Sequence, residues 1–272
     1  MRLISIGDQV EEGLYRFHSR FNRAVNFTHG EHLVSVVAEE IGDGPRNIVM
    51  RDLDTGSTQN PLEIAADNVI FEDAKFPVAH RHRYCSSLKC ETGTSPCFDD
   101  NLSLFSESLR TMSHPRSLAF LLDDQRIRNF HSGFERAFAE RVKHSVNQIF
   151  HGDRLNGVRA LSGCGLGLTP SGDDFLAGLL IGLNLRGAGF RGLVNQIFAA
   201  ARTTNIFSKS FLDLARQGFL FGRMKDLILA LRHGGPDAVR HSAEKLFAVG
   251  GSSGADLGTG FLMTMRHEVR VS

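Results

Sequence analysis

The sequence predicts an α+β fold, with a β-rich N-terminal domain followed by an α-helical C-terminal domain. Three observations predict it. Short β-rich runs and turns fill the first third of the chain, helical periodicity fills the last part, and a polar stretch without a clear period lies between them. A chain of 272 residues also exceeds the usual size of one domain. We therefore expect domains at 1–90 and 113–272, with 91–112 as a linker or a surface excursion.

The β-rich region contains six short runs of branched and aromatic side chains. They lie at 3–6, 14–17, 24–27, 33–38, 48–50 and 69–71. Turn signals separate the runs, as at Gly42-Asp43-Gly44-Pro45 and Asp54-Thr55-Gly56, where glycine and proline favour changes of direction. Short runs between such turns are typical of strands.

The helical region opens with a stripe of phenylalanine and valine that recurs every four residues from Phe130 to Phe150. Charged residues lie between these positions, so the stripe predicts a long helix that packs its apolar face into a core. Gly234-Gly235-Pro236 marks a break with proline near a helix start. Further helices are expected at 175–185, 193–201, 210–219, 225–231, 236–247 and 257–265.

The composition limits the classes of partner. A formal net charge of +1 gives no general attraction to nucleic acid or to a membrane surface. The longest apolar stretch, 175–185, is too short to span a bilayer, and no signal peptide precedes the first predicted strand. We therefore expect a cytoplasmic protein. Most basic residues are arginine, which would suit a small carboxylate or phosphate substrate.

The densest chemical signal is a glycine-rich segment at 162–178. Glycines alternate with small or apolar residues, and Thr169, Ser171, Asp173 and Asp174 follow immediately before an apolar, helical run. Glycine lets backbone amides approach a ligand closely, and a helix start directs unpaired N–H groups at it. The segment matches neither the Walker loop nor the Rossmann fingerprint. It predicts a loop that binds a small anionic or strongly polar ligand.

A second copy of the pattern lies near the C-terminus. Both copies read Ser-Gly-x-Asp with a glycine four residues after the aspartate, and they comprise Ser171, Gly172, Asp174 and Gly178 in the first and Ser253, Gly254, Asp256 and Gly260 in the second. One interpretation is a pair of capping boxes, in which serine and aspartate close the helix start. The other is two loop–helix units that converge on one site. The many flanking glycines, which weaken helices, favour the second interpretation.

Four blocks of the sequence resemble a known family. They are HSRFNRAVNF at 18–27, GLGLTPSGDDFL at 165–176, TTNIFS at 203–208 and GSSGAD at 251–256. Together they resemble the AllH family, which includes a subunit of oxamate carbamoyltransferase. The blocks extend over nearly the whole chain, and the central block is the most specific. The chain departs from the family pattern at Ser252, where many relatives are expected to have histidine.

The resemblance implies a role in the breakdown of oxalurate during allantoin or purine catabolism. Phosphate and oxalurate would give carbamoyl phosphate and oxamate, and companion carbamoyltransferase subunits would take part. Amides from Gly163 through Gly165 to Gly167 would then bind phosphate or an oxyanion, with Thr169 and Ser171 as hydroxyl donors.

The aspartates conflict with a bare anion, and three explanations are open. They hold Mg²⁺ that bridges to phosphate, they accept hydrogen bonds from carbamoyl N–H groups, or they cap helices. For Asp173 we favour N–H recognition or a metal. For Asp174 and Asp256, capping is an equal alternative. No other cofactor is indicated.

The remaining candidates come from the supporting blocks. Arg20 and Asn26 are candidates for binding the oxalurate carboxylate, although Arg20 also fits a surface position on a strand. Four polar residues are expected either to line the pocket or to cap the next helix, namely Thr203, Thr204, Asn205 and Ser208. Ser253 and Asp256 would bring the second turn to the site. Cys164 has no neighbouring histidine in the sequence, so we interpret it as a small filler.

Two rival functions are open from the sequence alone. Paired Gly-x-Asp segments loosely resemble metal-dependent ADP-ribosyl hydrolases, in which acids at helix starts hold Mg²⁺. A non-catalytic subunit that stabilises the carbamoyltransferase complex is the other rival. A requirement for Mg²⁺ without phosphate would favour the hydrolase, and complex formation unaffected by changes in the loop would favour the structural subunit.

Overall fold

The structure, a computed structural model, describes residues 1–56, 59–88, 96–203 and 205–269. They form two compact units. The first contains the described residues up to 88 together with 219–225, and the second contains the other described residues from 96 onward. The first unit carries the sheet and the second carries helices, so the predicted α+β class is confirmed.

The first unit is built on a sheet of nine strands among the described residues. The strands are β1 Arg2–Gly7, β2 Gly13–Phe21, β3 Ala24–His29, β4 His32–Ala38, β5 Asn47–Arg51, β6 Leu62–Ile64, β7 Asn68–Phe71, β8 Ala74–Pro77 and β9 Arg83–Tyr84. Their order in the sheet is β8-β7-β6-β2-β3-β4-β5-β1-β9. Pairing is antiparallel except between β4 and β5 and between β1 and β9. All six predicted runs are strands.

Aromatic and branched side chains from these strands form the core of the first unit. Phe27 packs edge-to-face on Phe71, with ring centroids 6.1 Å apart, and on Phe17 at 6.3 Å. Such edge-to-face pairs stabilise a core beyond the area that they bury. Val36 and Ile48 are fully buried on the paired strands β4 and β5.

Residues 219–225, which the sequence placed in the helical domain, belong to the first unit. The amide of Leu220 donates to the carbonyl of Ser86 at 3.0 Å, and the hydroxyl of Tyr84 donates to the carbonyl of Leu220 at 2.9 Å. The amide of Gly222 donates to the carbonyl of Asp43 at 2.8 Å. These bonds join segments that are far apart in the chain, and no local sequence pattern predicts them.

The described residues contain nine α-helices. They are α1 Phe98–Met112, α2 Gly133–His151, α3 Arg154–Leu161, α4 Ser171–Arg186, α5 Arg191–Ala200, α6 Ile206–Gln217, α7 Gly222–His233, α8 Pro236–Phe247 and α9 Ser253–Arg266. Within this part of the chain, no helix combines the length and apolar character needed to cross a bilayer.

Helix α1 occupies most of the segment expected as a linker at 91–112. Phe98, Leu102, Phe105 and Leu109 are buried at helical spacing on one face. Serine, asparagine and aspartate interrupt this stripe in the sequence and obscure its period. The buried amide of Asn101 is satisfied by the carbonyls of Leu231 and Gly234, at 3.1 and 3.0 Å.

Helix α2 begins later than the phenylalanine stripe suggests. Ser132 accepts a hydrogen bond from the amide of Glu135, and the Glu135 carboxylate accepts from the amide of Ser132, which forms a capping box before Gly133. Phe134 is 74% exposed, so it does not belong to the core as predicted. A spacing of four residues drifts about 40° per step around a helix of 3.6 residues per turn, and the stripe cannot stay on one face.

Candidate functional site

The two Ser-Gly-x-Asp units begin α4 and α9, and these helices pack at backbone contact. A Cβ atom added at Gly178 would lie 2.0 Å from the carbonyl oxygen of Leu257. One added at Gly260 would lie 2.1 Å from the carbonyl oxygen of Phe175. The two contacts are equivalent under exchange of the helices. The glycine four residues after each aspartate is therefore explained by helix packing.

The helices run in the same direction. Gly178 meets Leu257 and Phe261, and one turn later Gly182 meets Thr264, where an added Cβ would lie 2.8 Å from the threonine Cβ. Both N-termini consequently lie at the same end of the pair. Their unpaired amides and the positive ends of their dipoles are brought together, which favours anionic or strongly polar groups there.

The segments before the two helices also match each other. A Cβ at Gly172 would lie 2.0 Å from the carbonyl oxygen of Leu161, and one at Gly254 would lie 1.9 Å from that of Leu246. The amide of Gly172 donates to the carbonyl of Cys164 at 2.8 Å. The amide of Gly254 donates equivalently to Val249 at 3.2 Å. The units α3–turn–α4 and α8–turn–α9 are thus structural repeats.

The capping-box interpretation of both turns is wrong. The N-cap residues are Pro170 and Ser252, and neither makes a side-chain capping hydrogen bond. Ser171 and Ser253 are the first helical residues, one position too late for a capping box. Their aspartates lie deeper in the helix and are free for other contacts.

Asp256 is fully buried and well supplied with donors. One carboxylate oxygen accepts from the amide of Leu118 at 2.6 Å, and the other accepts from the hydroxyl of Ser252 at 2.8 Å. Burial raises the pKa of Asp256 to about 6, although hydrogen bonds from Leu118, Ser171 and Ser252 lower it. The sequence held no signal for the contribution of Leu118, which comes from a 3₁₀ turn 138 positions away in the chain.

Asp174 is 2% exposed and has fewer partners. Burial raises its pKa well above the usual range, and the nearby charge of Asp256 raises it further. Interactions with the side chains of Ser253 and Thr169 lower it. Within the described residues its Oδ2 atom has no hydrogen-bond partner. The serine of each turn therefore interacts with the aspartate of the other turn.

Asp173 secures the start of the glycine loop. One of its oxygens accepts from the amide of Gly163 at 2.9 Å and from the hydroxyl of Ser162 at 3.2 Å. The residue is fully buried, and its Oδ2 has no partner among the described residues. The Gly163 amide, predicted to bind a ligand, is thus used inside the fold, as is that of Cys164, which donates to Leu161 at 3.0 Å.

The outer part of the glycine loop remains available. Gly163, Gly165 and Gly167 have φ values of +72°, +119° and +105°, which side chains other than glycine rarely adopt. Leu166 is 84% exposed and Leu168 is 46% exposed. In the described part of the chain, the amides at positions 165–167 make no hydrogen bond. These three amides are the candidate anion donors.

The TTNIFS block reaches the loop through Asn205. Its amide nitrogen donates to the carbonyl of Leu168 at 2.6 Å, while its oxygen caps α6 by accepting from Phe207 at 2.9 Å. Thr203 accepts from the amide of Asn205 at 3.4 Å. Ser208 is fully buried, and its hydroxyl has no partner within the described residues. Thr204 lies outside the described residues.

Arg20 and Asn26 lie in the first unit. Asn26 is buried in the sheet, where its side chain donates to Ser19 at 3.1 Å and accepts from Ser35 at 2.7 Å. Arg20 lies 4.0 Å from Glu72 and stacks over Phe17 at 5.3 Å. Both residues therefore have side-chain contacts within the first unit.

Two further predictions concern reactive and metal-binding groups. Cys164 is buried, its pKa is raised by burial, and its thiol donates to the carbonyl of Ala160 at 3.1 Å, which suits a filler. No group of three or more His, Cys, Asp or Glu side chains in the described ranges is arranged to hold a metal ion.

Comparison with known families gives a match over the segment that contains both Ser-Gly-x-Asp turns. The family model described as oxamate carbamoyltransferase subunit AllH matches residues 161–265. The resemblance to that family is confirmed over this segment, which includes both Ser-Gly-x-Asp turns. No curated protein and no solved structure matched the chain.

Proposed function

We propose that this chain, whose residues 161–265 match the AllH model, is a subunit of an oxamate carbamoyltransferase-like enzyme. The proposed reaction converts oxalurate and phosphate into oxamate and carbamoyl phosphate. The observation that carries the proposal is that both turns of the matched segment meet at one place, with two helix N-termini side by side.

The protein must fulfil three requirements of this reaction. Phosphate must be held, the ureido carbonyl must be polarised, and the leaving amide nitrogen must receive a proton. The outer amides of Gly165 and Gly167 and the paired helix dipoles are suited to the anion. Thr169, Ser171 and Ser253 are partly exposed residues, and hydroxyl groups are suited to the ureido group.

The bonds that change can be stated in order. A phosphate oxygen attacks the ureido carbon, and the oxyanion of the tetrahedral intermediate is stabilised by preset donors. Each such donor contributes on the order of 3 kcal/mol in comparable sites. The bond from carbon to the oxamate nitrogen then breaks, and the proton that phosphate loses is finally carried by that nitrogen.

Other parts of the proposal extend beyond this chain. Companion subunits would complete the enzyme, as the word subunit in the family description suggests. A role in allantoin or purine catabolism in the cytoplasm belongs to the same proposal. The polar atoms of Asn26 already make hydrogen bonds within the sheet.

A structural subunit of the same complex is the second candidate. It is favoured by the burial of the three acids, since none of Asp173, Asp174 and Asp256 is more than 2% exposed. The hydrolase alternative has no observation of this kind in its favour.

The test is co-expression with the proteins encoded beside this chain and a phosphate-dependent assay for carbamoyl phosphate from oxalurate. Gly167→Val should abolish turnover while the complex still assembles, and Gly189→Val, at an exposed glycine with no atom within 4 Å of an added Cβ, should not. Absence of turnover by the intact complex would refute the reaction. Turnover that survives Gly167→Val would indicate the structural role.

A further inference from the structure

The two buried acids Asp174 and Asp256 lie near the starts of α4 and α9, and each interacts with the serine of the other turn. Ser171 of the first turn bonds Asp256 of the second, and Ser253 of the second turn interacts with Asp174 of the first. The arrangement follows from the exchange-equivalent packing of α4 and α9. Neither acid is more than 2% exposed.

The donors are distributed unequally between the two acids. Asp256 receives the amide of Leu118 and the hydroxyls of Ser252 and Ser171. Asp174 keeps one oxygen that is buried and without a hydrogen bond in the described part of the chain. An ionised oxygen in that position would be costly, and two adjacent buried carboxylates cannot both ionise cheaply. Asp173, next in sequence, is the other acid that raises the pKa of Asp174.

We propose that Asp174 is held as a neutral carboxylic acid beside an ionised Asp256, and that this pair makes the site selective for a ureido group. The inference rests on the proposed function, because it assigns the chemistry that the same turns recognise. The neutral member follows from the missing donors, and the ionised member follows from the three donors supplied to it.

The pair sets the direction of the hydroxyls above it. A serine hydroxyl has one proton to donate and two lone pairs to accept with. The Ser171 hydroxyl donates its hydrogen bond to ionised Asp256, so towards a ligand it can only accept one. A hydroxyl that accepts the proton of Asp174, on Ser253 or Thr169, keeps its own proton free and presents a donor.

An acceptor beside a donor matches the end of a ureido group. Its amino group donates to Ser171, and its carbonyl oxygen accepts from the Ser253 or Thr169 hydroxyl. A methyl group in place of that amino group would leave Ser171 without a partner. The pair acts through these hydroxyls, so Asp174 and Asp256 are positioning residues.

The first measurement needs no substrate. The full-length chain is labelled at aspartate carboxyl carbons, and the resonances are followed by NMR between pH 5 and pH 8, with Asp174→Asn and Asp256→Asn as assignments. The Asp174 signal should stay at the position of a neutral acid at pH 7, and it should ionise at lower pH in Asp256→Asn. Asp237→Asn, at a fully exposed position, should change neither signal. An Asp174 carboxyl that is ionised throughout this range would overturn the inference.

The second measurement compares ligands on the assembled complex without phosphate, so that no turnover occurs. Oxalurate should bind about 10- to 100-fold more tightly than N-acetyloxamate, in which a methyl group replaces the terminal amino group. Asp174→Asn, which imitates a neutral acid, should keep this preference. Asp256→Asn should lose it, and Ser171→Ala gives the same test if Asp256→Asn does not fold.

The outcomes separate the inference from the function. If Asp174→Asn loses the preference and Asp256→Asn keeps it, the proton has been assigned to the wrong acid, and the proposed reaction is unaffected. A second outcome is that oxalurate does not bind while NMR finds a neutral Asp174. The proposed reaction and the ureido selectivity are then both wrong, and only the protonation of the acid pair is confirmed.

Discussion

The turn before α4 and the turn before α9 share a scaffold but expose different groups. Both place a glycine against the carbonyl of the preceding helix, at Leu161 and at Leu246. The first turn is longer, and its glycine loop carries exposed Leu166. Asp173 of the first turn corresponds to the apolar Ala255 in the second.

This difference separates packing from recognition. Features that both turns share, such as Gly178 and Gly260, build the contact between helices. The outer loop, which only the first turn has, is a candidate for contact with a ligand or a companion subunit. The following predictions test this division, beginning with the largest expected effect.

The shared glycines should be the most sensitive positions. Gly178→Ala and Gly260→Ala each place a Cβ about 2 Å from a carbonyl oxygen, so each should lower the free energy of unfolding by about 3 kcal/mol. Thermal or denaturant unfolding measures this. Gly192→Ala, in α5 with no atom within 4 Å, should be neutral or stabilising. Equal effects at all three positions would contradict the packing role.

The buried acid of the second turn should make stability depend on pH. Because the pKa of Asp256 is raised to about 6 in the folded state, the folded protein keeps this proton at pH values where the unfolded chain has lost it. Its contribution is fully present below about pH 4 and is lost as the pH rises through about 6. Relative to Asp256→Asn, the wild-type protein should lose up to about 3 kcal/mol across this range.

Unfolding curves at several pH values measure that difference. Asp237→Asn serves as the control, since the Asp237 side chain is fully exposed. A difference between wild type and Asp256→Asn that does not change with pH would show that the acid has an ordinary pKa.

The outer loop should affect activity more than stability. Gly167→Ala forces alanine to a φ of +105°, which should cost about 1–2 kcal/mol because the side chain has free space. Displacing the loop amides should lower turnover of the complex by roughly 100-fold. Gly251→Ala in the second turn, where no left-handed φ is required, should change neither quantity. A loop variant with full activity would remove the amides from the proposed site.

Asn205 should show the smallest effect on stability. Asn205→Ala removes the α6 cap and the bond to Leu168, at a cost of about 1 kcal/mol. Asn205→Asp keeps the cap but cannot donate to Leu168. Hydrogen exchange should therefore be faster at the hydrogen-bonded amides of Gly163 and Gly172, which lie at the two ends of the loop, in Asn205→Asp while the melting temperature stays close to wild type. Unchanged exchange would show that Asn205 does not hold the loop.

The fold class was predictable because strand and helix periods leave direct marks in the sequence. Helix α1 was missed because polar residues interrupt its apolar face at Asn101 and Ser106, both of which are buried. Phe134 was misplaced because a four-residue spacing gives the correct element but not the correct face.

The site was predictable only in outline. The repeated Ser-Gly-x-Asp pattern located both turns, but the reason for their glycines lies in backbone contacts between helices distant in the chain. The donor to Asp256 from Leu118 and the inward use of the Gly163 amide also depend on long-range packing. Local sequence carries no trace of such contacts.

The incorporation of residues 219–225 into the first unit has a consequence for folding during synthesis. The hydroxyl of Tyr84 and the carbonyl of Leu220 are 136 positions apart. The sheet unit therefore cannot complete its hydrogen bonds until residues 219–225 have left the ribosome. Closing so long a loop is slow compared with local folding, so the N-terminal unit begins to form first but completes its contacts late.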